Sequence, residues 1–313
     1  MSLSITACIC TYNRYDLLGK CIQSLQAQSL DNNKYKILVM DNSPDKDVAK
    51  LEKEKYIDIE NLDYKILPIP GLSNARNEGA DICGTEFIAY IDDDAIASKY
   101  WLEGILDGFE LYADTEMVGG PINPIWEEAR PSWLPKWREG FLTIIDWGKE
   151  GPRLAENNEW FAGANMAFRT SAISKYGYFP VSLGRIGGAG SLLSNEEINI
   201  VESIKAQNGK IVYSPKATVD HLVDKTRTKR EWFKKRVSWQ VVSDILMNGN
   251  PWASEQCWER IENYYEKLTP ELRNFNSFSL LHDEADLFHL QLEALEGFLH
   301  LSLGGFAGES RND

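Results

Sequence analysis

The sequence predicts an α/β fold: a mainly parallel sheet flanked by helices, with a C-terminal helical appendage. Three observations carry this expectation. Short apolar runs rich in β-branched residues alternate with helix-period segments through the first half of the 313-residue chain. Polar clusters follow three of those runs directly, at 11–13, 41–43 and 92–94. From 226 onward the chain reads as helical throughout.

The elements follow in order. Residues 5–10 (ITACIC) form an apolar, β-branched run and predict a strand. Asn13, with Asp16 three residues later, has the pattern of a helix N-cap, and Leu17, Leu18, Cys21, Ile22 and Leu25 then recur at helical spacing. Residues 35–40 predict the second strand, ending in the turn D-N-S-P, and 62–69 the third, closed by Pro70-Gly71. A short helix is expected over 72–80. A fourth strand over 87–91 runs into Asp92-Asp93-Asp94, a helix follows over 100–112, and 117–119 begins a fifth strand. In sheets of this kind ligands bind outside the carboxyl ends of the strands, so the polar clusters mark the site whatever its chemistry.

After 121 the character changes. Residues 121–159 hold Trp126, Trp133, Trp137 and Trp147, several prolines and little periodicity. With Trp160 these rings suit either a loop that stacks on sugar or a packed core. A strand is expected over 160–169, a helix over 171–176, a glycine-rich loop at 184–190, a helix over 195–207 and two strand-like pieces within 210–223. Helices follow over 230–247, 254–267 and 283–303. The last carries Leu287, Leu290, Leu292, Leu295, Phe298 and Leu299 on a broad face, expected to pack on the preceding domain or on a second subunit. The division expected is therefore 1–223 and 224–313.

Lys plus Arg is 33 and Asp plus Glu is 47, a net charge of −14. A general nucleic-acid binder is excluded, because phosphate-backbone affinity needs clustered positive charge. No stretch approaches the roughly 20 apolar residues of a membrane helix. The N-terminal residues lack a basic n-region and an apolar h-region, so no signal peptide is expected. Five cysteines, at 8, 10, 21, 83 and 257, include no C-x-x-C pair. They read as reduced, buried thiols of a cytoplasmic protein; Cys8 and Cys10 would make half a metal site with no second pair to complete it.

Each chemical candidate has an ordinary alternative. Carboxylates at Asp92, Asp93 and Asp94, aimed together at a strand end, repel one another unless a cation intervenes, and hard divalent ions prefer oxygen ligands. The alternative is an Asp-rich turn. His221, in a chain with four histidines, is either a structural imidazole or a ligand that would favour Mn²⁺ somewhat over Mg²⁺. Arg76 is either a helix-surface arginine or a fork for phosphate oxygens. Glu196 and Glu197 offer a general base, yet Ser194-x-x-Glu197 also has the form of a capping box. Lys225, Arg227, Lys229, Arg230, Lys234, Lys235 and Arg236 make a basic cluster that suits a diphosphate or an anionic headgroup, or merely a solvated helix face.

Taken in order, residues 5–223 resemble the inverting family 2 glycosyltransferases with the GT-A fold. I-C-T-Y-N-R, with V-M-D-N-S after it, resembles that family's nucleotide-base pocket and implies that Thr11, Tyr12 and Asp41, with Asn13 beside them, hold the nucleotide. G-L-S-N-A-R-N-E-G resembles the segment whose arginine, here Arg76, meets the nucleotide. Y-I-D-D-D-A resembles the D-x-D motif, with Asp92 and Asp93 near the donor and Asp94, joined by Asp92, ligating metal. F-A-G-A-N-M-A-F-R implies that Gly163 and Asn165 face the sugar and acceptor, and His221 matches a metal-binding His of some members. S-N-E-E-I-N-I stands where the family carries an acidic pair whose second member is the base, so the resemblance points to Glu197. Glu in place of Asp, and Asn195 in place of Gly, leave Glu196 as the alternative.

The resemblance implies a divalent ion, Mn²⁺ or Mg²⁺, and a nucleotide-diphosphate sugar, a UDP-sugar first. It implies a saccharide or lipid-linked acceptor in polysaccharide or glycolipid assembly. Transfer of one sugar at a time is expected, because the Q-x-x-R-W motif of processive synthases does not occur. The 184–190 loop is expected to order over donor and exclude water. Peripheral contact with the inner face of the membrane and a homo-oligomer are further expectations. Two rivals stand beside this reading. One is a phosphohydrolase using D-x-D-x-apolar at 92–96, although such enzymes place the motif on the first strand; the other is a non-catalytic nucleotide-sugar or glycan-binding protein.

Overall fold

The computed structural model describes residues 4–185, 187, 190–250 and 252–309. The first part of the chain runs β1 (Ile5–Thr11), α1 (Tyr15–Gln26), β2 (Tyr35–Asp41), α2 (Lys46–Glu54), β3 (Leu62–Ile66), α3 (Leu72–Ile82) and β4 (Phe87–Asp92). It continues through β5 (Ala95–Ala97), α4 (Trp101–Glu110), β6 (Thr115–Gly119), β7 (Ile122–Trp126), β8 (Arg153–Leu154) and β9 (Met166–Arg169). Then come α5 (Thr170–Tyr176), α6 (Glu196–Ala206), β10 (Lys210–Tyr213), β11 (Val219–Val223), α7 (Arg230–Asn248), α8 (Ser254–Lys267) and α9 (Ala285–Glu309). The chain divides into two units. The first is Met1–Ile125 with Thr143–Gly190 and Glu196–Leu222; the second is Trp126–Leu142 with Ser191–Asn195 and Val223–Asp313.

The first unit is built on an eight-stranded sheet in the order β3-β2-β1-β4-β9-β6-β10-β8. The strands β3, β2, β1 and β4 are mutually parallel, and β9 runs antiparallel between β4 and β6. Both faces of β1, β2 and β4 are buried. Ile5, Ala7, Ile9, Ile37, Val39, Ala89 and Ile91 fill one side. Cys8, Cys10, Leu38, Met40, Ile88 and Tyr90 fill the other. A strand covered on both faces needs a nearly continuous apolar run, which is why these segments were legible. The five cysteines are free and buried.

Register sets up the site. Thr11 pairs with Asp41, and Cys10 with Asp92, so the polar ends of β1, β2 and β4 stand side by side. Asn42 stitches them: its Nδ2 donates to the Thr11 carbonyl (2.8 Å), and its Oδ1 accepts from the Gly71 N–H (3.0 Å) just before α3. A small second sheet, β5-β11-β7, follows the acidic triplet.

Local readings are corrected in places. The α1 N-cap is Arg14, with no side-chain cap bond. Asn13 instead takes the left-handed conformation (φ 55°) and donates its N–H to Ser43 Oγ at 2.9 Å. No Ser194–Glu197 capping bond occurs among the described residues; the Ser194 hydroxyl is directed at Gln240 Oε1 (3.3 Å) and Asn195 Oδ1 (3.4 Å).

In the second unit α9 packs along α8 and α7, so its apolar face is covered by helices of its own unit. Ile261, Tyr264, Leu268 and Ala294 form part of that core. Trp133 belongs to the unit's interior as well, meeting Phe233 and Phe288 edge-on with ring centroids 5.1 and 5.3 Å away. Trp147 and Trp160 pack against each other in the first unit, Trp147 Nε1 donating to the Trp160 carbonyl at 3.1 Å. Trp133, Trp147 and Trp160 are thus packed within the two units, while Trp137 is exposed.

The basic cluster is largely absorbed as well. Lys229 pairs with Glu128 (2.8 Å), Arg230 donates to the Asp283 carbonyl (2.8 Å) and Lys234 to the Leu280 carbonyl (2.9 Å). The guanidiniums of Arg227 and Arg236 lie over the Trp232 and Phe141 rings. In an acidic chain these cations find acids, carbonyls and rings close by.

Candidate active site

Three strand ends and one antiparallel pairing assemble the site. Asp92 closes β4, and Asp93 and Asp94 occupy the turn into β5. β11 pairs antiparallel with β5 so that His221 faces Ala95, and the Leu222 N–H donates to the Asp94 carbonyl at 3.0 Å. This brings His221 Nε2 to 3.2 Å from Asp94 Oδ1. Asp92, Asp94 and His221 each offer a ligand atom, all within 4.8 Å of one another. His221 is buried and its Nδ1 has no hydrogen-bond partner among the described residues. Two carboxylates with an imidazole are a donor set suited to Mn²⁺ or Mg²⁺, so the residues fit such an ion.

Asp93 is buried and is not a member of that trio. Its Oδ2 accepts from Thr11 Oγ1 at 2.7 Å, and its Oδ1 pairs with Arg14 Nη2. Burial pushes its carboxyl up to about 7, although Arg14 opposes the shift. Arg14 also reaches Asp94 Oδ2 through Nη1 at 2.6 Å. Sequence reasoning assigned Arg14 no role. The signal in the sequence was an arginine three residues past a strand end in a strongly acidic chain.

Asp41 is fully buried and accepts from Tyr64 OH (2.7 Å), Tyr15 OH (3.1 Å) and the Ser43 N–H (2.9 Å). Tyr12 is partly buried at the mouth of the sheet, against the glycine-rich stretch. A Cβ built on Gly187 would lie 2.5 Å from the Tyr12 ring, so only glycine fits there. The backbone carbonyl of Arg185 accepts from the Leu72 N–H at 2.9 Å. Of the loop expected to cover the donor, residues 186, 188 and 189 lie outside the described residues.

Arg76, on the second turn of α3, is 3% exposed. Its Nη1 donates to Glu196 Oε1 at 2.9 Å, and its Nη2 lies 3.7 Å from Asp92 Oδ1. Burial works against its charge, but Glu196 and Asp92 outweigh burial and hold the guanidinium protonated. Gly163 makes room for it: a Cβ there would lie 1.8 Å from Arg76 Nη2. Asn165, expected at the sugar, is instead committed to the protein. Its Oδ1 accepts from Trp101 Nε1 (2.8 Å), and its Nδ2 donates to the carbonyls of Pro121 (2.9 Å) and Ala217 (2.7 Å).

The acidic pair opens α6, and its two members differ. Glu196 is buried against Arg76; burial, reinforced by the Glu197 charge, pushes its carboxyl up to about 8. Glu197 is only partly buried, and its Oε2 has no hydrogen-bond partner among the described residues. The structure therefore joins Asp92, Asp94 and His221 in one group, and Arg76 with Glu196 in another that touches Asp92.

Known proteins place this arrangement. Residues 6–177 match the profile of glycosyl transferase family 2. The glucosyl-dolichyl phosphate glucuronosyltransferase of Haloferax volcanii is 26% identical over 255 residues, 79% of this chain and 78% of that protein. The succinoglycan biosynthesis protein ExoM of Rhizobium meliloti is 28% identical, covering 75% of this chain and 72% of its own. Two solved structures share the fold at 16% identity. The mannosyltransferase PcManGT of Pyrobaculum calidifontis, in complex with GDP-Man and Mn²⁺, aligns with a TM-score of 0.56 over 99% of this chain and 77% of its own. GalNAc-T7 with UDP, GalNAc and Mn²⁺ aligns at 0.55 over 88% of this chain and 54% of its own. No helix among the described residues is long and apolar enough to cross a membrane. The chain belongs to glycosyl transferase family 2 and is a glycosyltransferase of the GT-A fold.

Proposed function

We propose that this enzyme is an inverting, metal-assisted glycosyltransferase. It moves one sugar from a nucleotide-diphosphate donor, a UDP-sugar first, to a hydroxyl of a lipid-linked or free saccharide acceptor. The observation that carries the reading is the meeting of Asp92, Asp94 and His221 at the carboxyl ends of a parallel sheet. The names of the relatives, one acting in dolichyl-phosphate glycan assembly and one in succinoglycan synthesis, favour glycolipid or polysaccharide assembly. The five free thiols fit a reducing compartment and so the cytoplasmic side.

Tyr12 and Asn13 stand at the mouth where the nucleoside would lie, backed by the buried Thr11, Asp41 and Asp93, and Asp92 borders it. Asp94, Asp92 and His221 would hold Mn²⁺ or Mg²⁺. Such an ion, when bound, offsets the charge that grows on a leaving diphosphate. Arg76 is held rigid by its bond to Glu196, with its fork beside Asp92 on the leaving-group side. A hydroxyl nucleophile needs a base, and Glu197 has the unpartnered carboxylate oxygen to take its proton. Glu196 is a poorer base because it is buried and already bonded to Arg76. One base and one displacement invert the anomeric centre. Calorimetry on Asp94→Asn tests the reading: Mn²⁺-dependent binding of UDP or GDP is lost while the melting temperature holds. Unchanged metal-dependent affinity would overturn it, and product formation from any donor would dispose of a purely binding role.

A further inference from the structure

Arg14 and the proposed metal ligands share one carboxylate. Asp94 turns Oδ1 toward His221 Nε2 at 3.2 Å and Oδ2 toward Arg14 Nη1 at 2.6 Å. The other arm of the fork, Nη2, pairs with Asp93 Oδ1, so one guanidinium spans both acids. The acids are buried, with side-chain exposures of 0% for Asp93 and 8% for Asp94, where charges are weakly screened. The arginine is 46% exposed and rests on the N-cap of α1, so it can leave for water without disturbing a packed core.

A divalent ion at Asp92, Asp94 and His221 would lie on the same carboxylate as this guanidinium, and two cations that close repel. Asp93 would keep its Thr11 hydroxyl bond at 2.7 Å after Arg14 moved. We propose that Arg14 is an internal counter-cation, which a divalent metal must push aside, so that the protein by itself holds metal weakly. The inference rests on the metal-assisted reading of Asp92, Asp94 and His221. It adds that a residue outside that trio sets the trio's affinity.

The test uses the full chain and Mn²⁺ alone, with unbound Mn²⁺ read by electron paramagnetic resonance. Arg14→Gln is expected to bind Mn²⁺ about tenfold tighter than wild type or better, since one unit of nearby positive charge is removed. Its melting temperature should also rise further on adding Mn²⁺. Arg14→Lys keeps the charge but loses the fork, and should fall between the two. It also keeps the question answerable if Arg14→Gln unfolds. Equal or weaker Mn²⁺ binding by the variants overturns the inference and leaves the metal site standing. Mn²⁺ bound by none of the three proteins overturns the metal reading and the inference with it.

Discussion

Glu196 and Glu197 are neighbours in sequence, yet their surroundings assign them different tasks. Glu196 spends its carboxyl on Arg76, while Glu197 keeps an oxygen unpartnered at the start of α6. Glu197→Gln should therefore retain donor affinity and melting temperature and lose about 10²–10⁴-fold in turnover. Near-full turnover with the true acceptor would remove Glu197 from the base role. Glu196→Gln speaks through pH. Its carboxyl rises from 4.5 to about 8 on folding, so the folded state holds the proton more tightly than the unfolded chain. That contribution is whole below the unfolded value and is lost as pH climbs through the folded one. Wild-type stability should thus fall relative to Glu196→Gln between these two values, by at most about 1.4 kcal/mol per pH unit. Melting curves of the two proteins across that range check this; parallel pH profiles would mean Glu196 buries no extra proton.

Asn165 shows how one side chain can hold several segments. It ties the turn before β9 to the indole of Trp101 in α4, to the residue before β7 and to the residue before Thr218. Asn165→Ala should lose about 3 kcal/mol in urea unfolding, because three buried partners are left unmatched. An equally stable variant with weakened donor affinity would show that Asn165 serves the sugar after all. The same contacts explain what the sequence left unread. α2 presents mostly charged residues and buries only Ala49 and Glu52, so hydrophobic period gave no sign of it, although Asp45 caps it by accepting from the Asp47 and Val48 N–H groups. β5 is three residues long and exists because β11 pairs with it. That pairing is what delivers His221 to Asp94, from a position more than a hundred residues away.

Two arginines are gathered at one acidic place in an acidic chain. The chain carries −14 overall, yet Arg14 and Arg76 are both aimed at the acids at the end of β4, while in the basic cluster near α7 Lys229 pairs with Glu128. A nucleotide sugar bound there with Mn²⁺ should stabilise the fold. At a hundredfold excess over its dissociation constant, the correct donor contributes about 2.7 kcal/mol. A screen of nucleotide sugars by melting temperature should therefore single out one donor, its shift lost on chelating the metal. A flat response to every nucleotide sugar, with and without Mn²⁺, would contradict the donor assignment.

The parallel strands, their polar ends and the acidic triplet were determined by the sequence alone. A strand buried on both faces must be apolar along its length, and the first residues past its end must then be polar. The order of the motifs likewise pointed to the family. Only the tertiary structure decided which of those polar residues act together. It set His221 beside Asp94, turned Asp41 and Asn165 inward onto protein partners, locked Glu196 onto Arg76 and brought Arg14 onto Asp93 and Asp94. Those outcomes depend on strand pairing and side-chain direction across long sequence separations. Local pattern carries no record of them, because hydrophobic period tells which face of an element is buried and not which distant group it will meet.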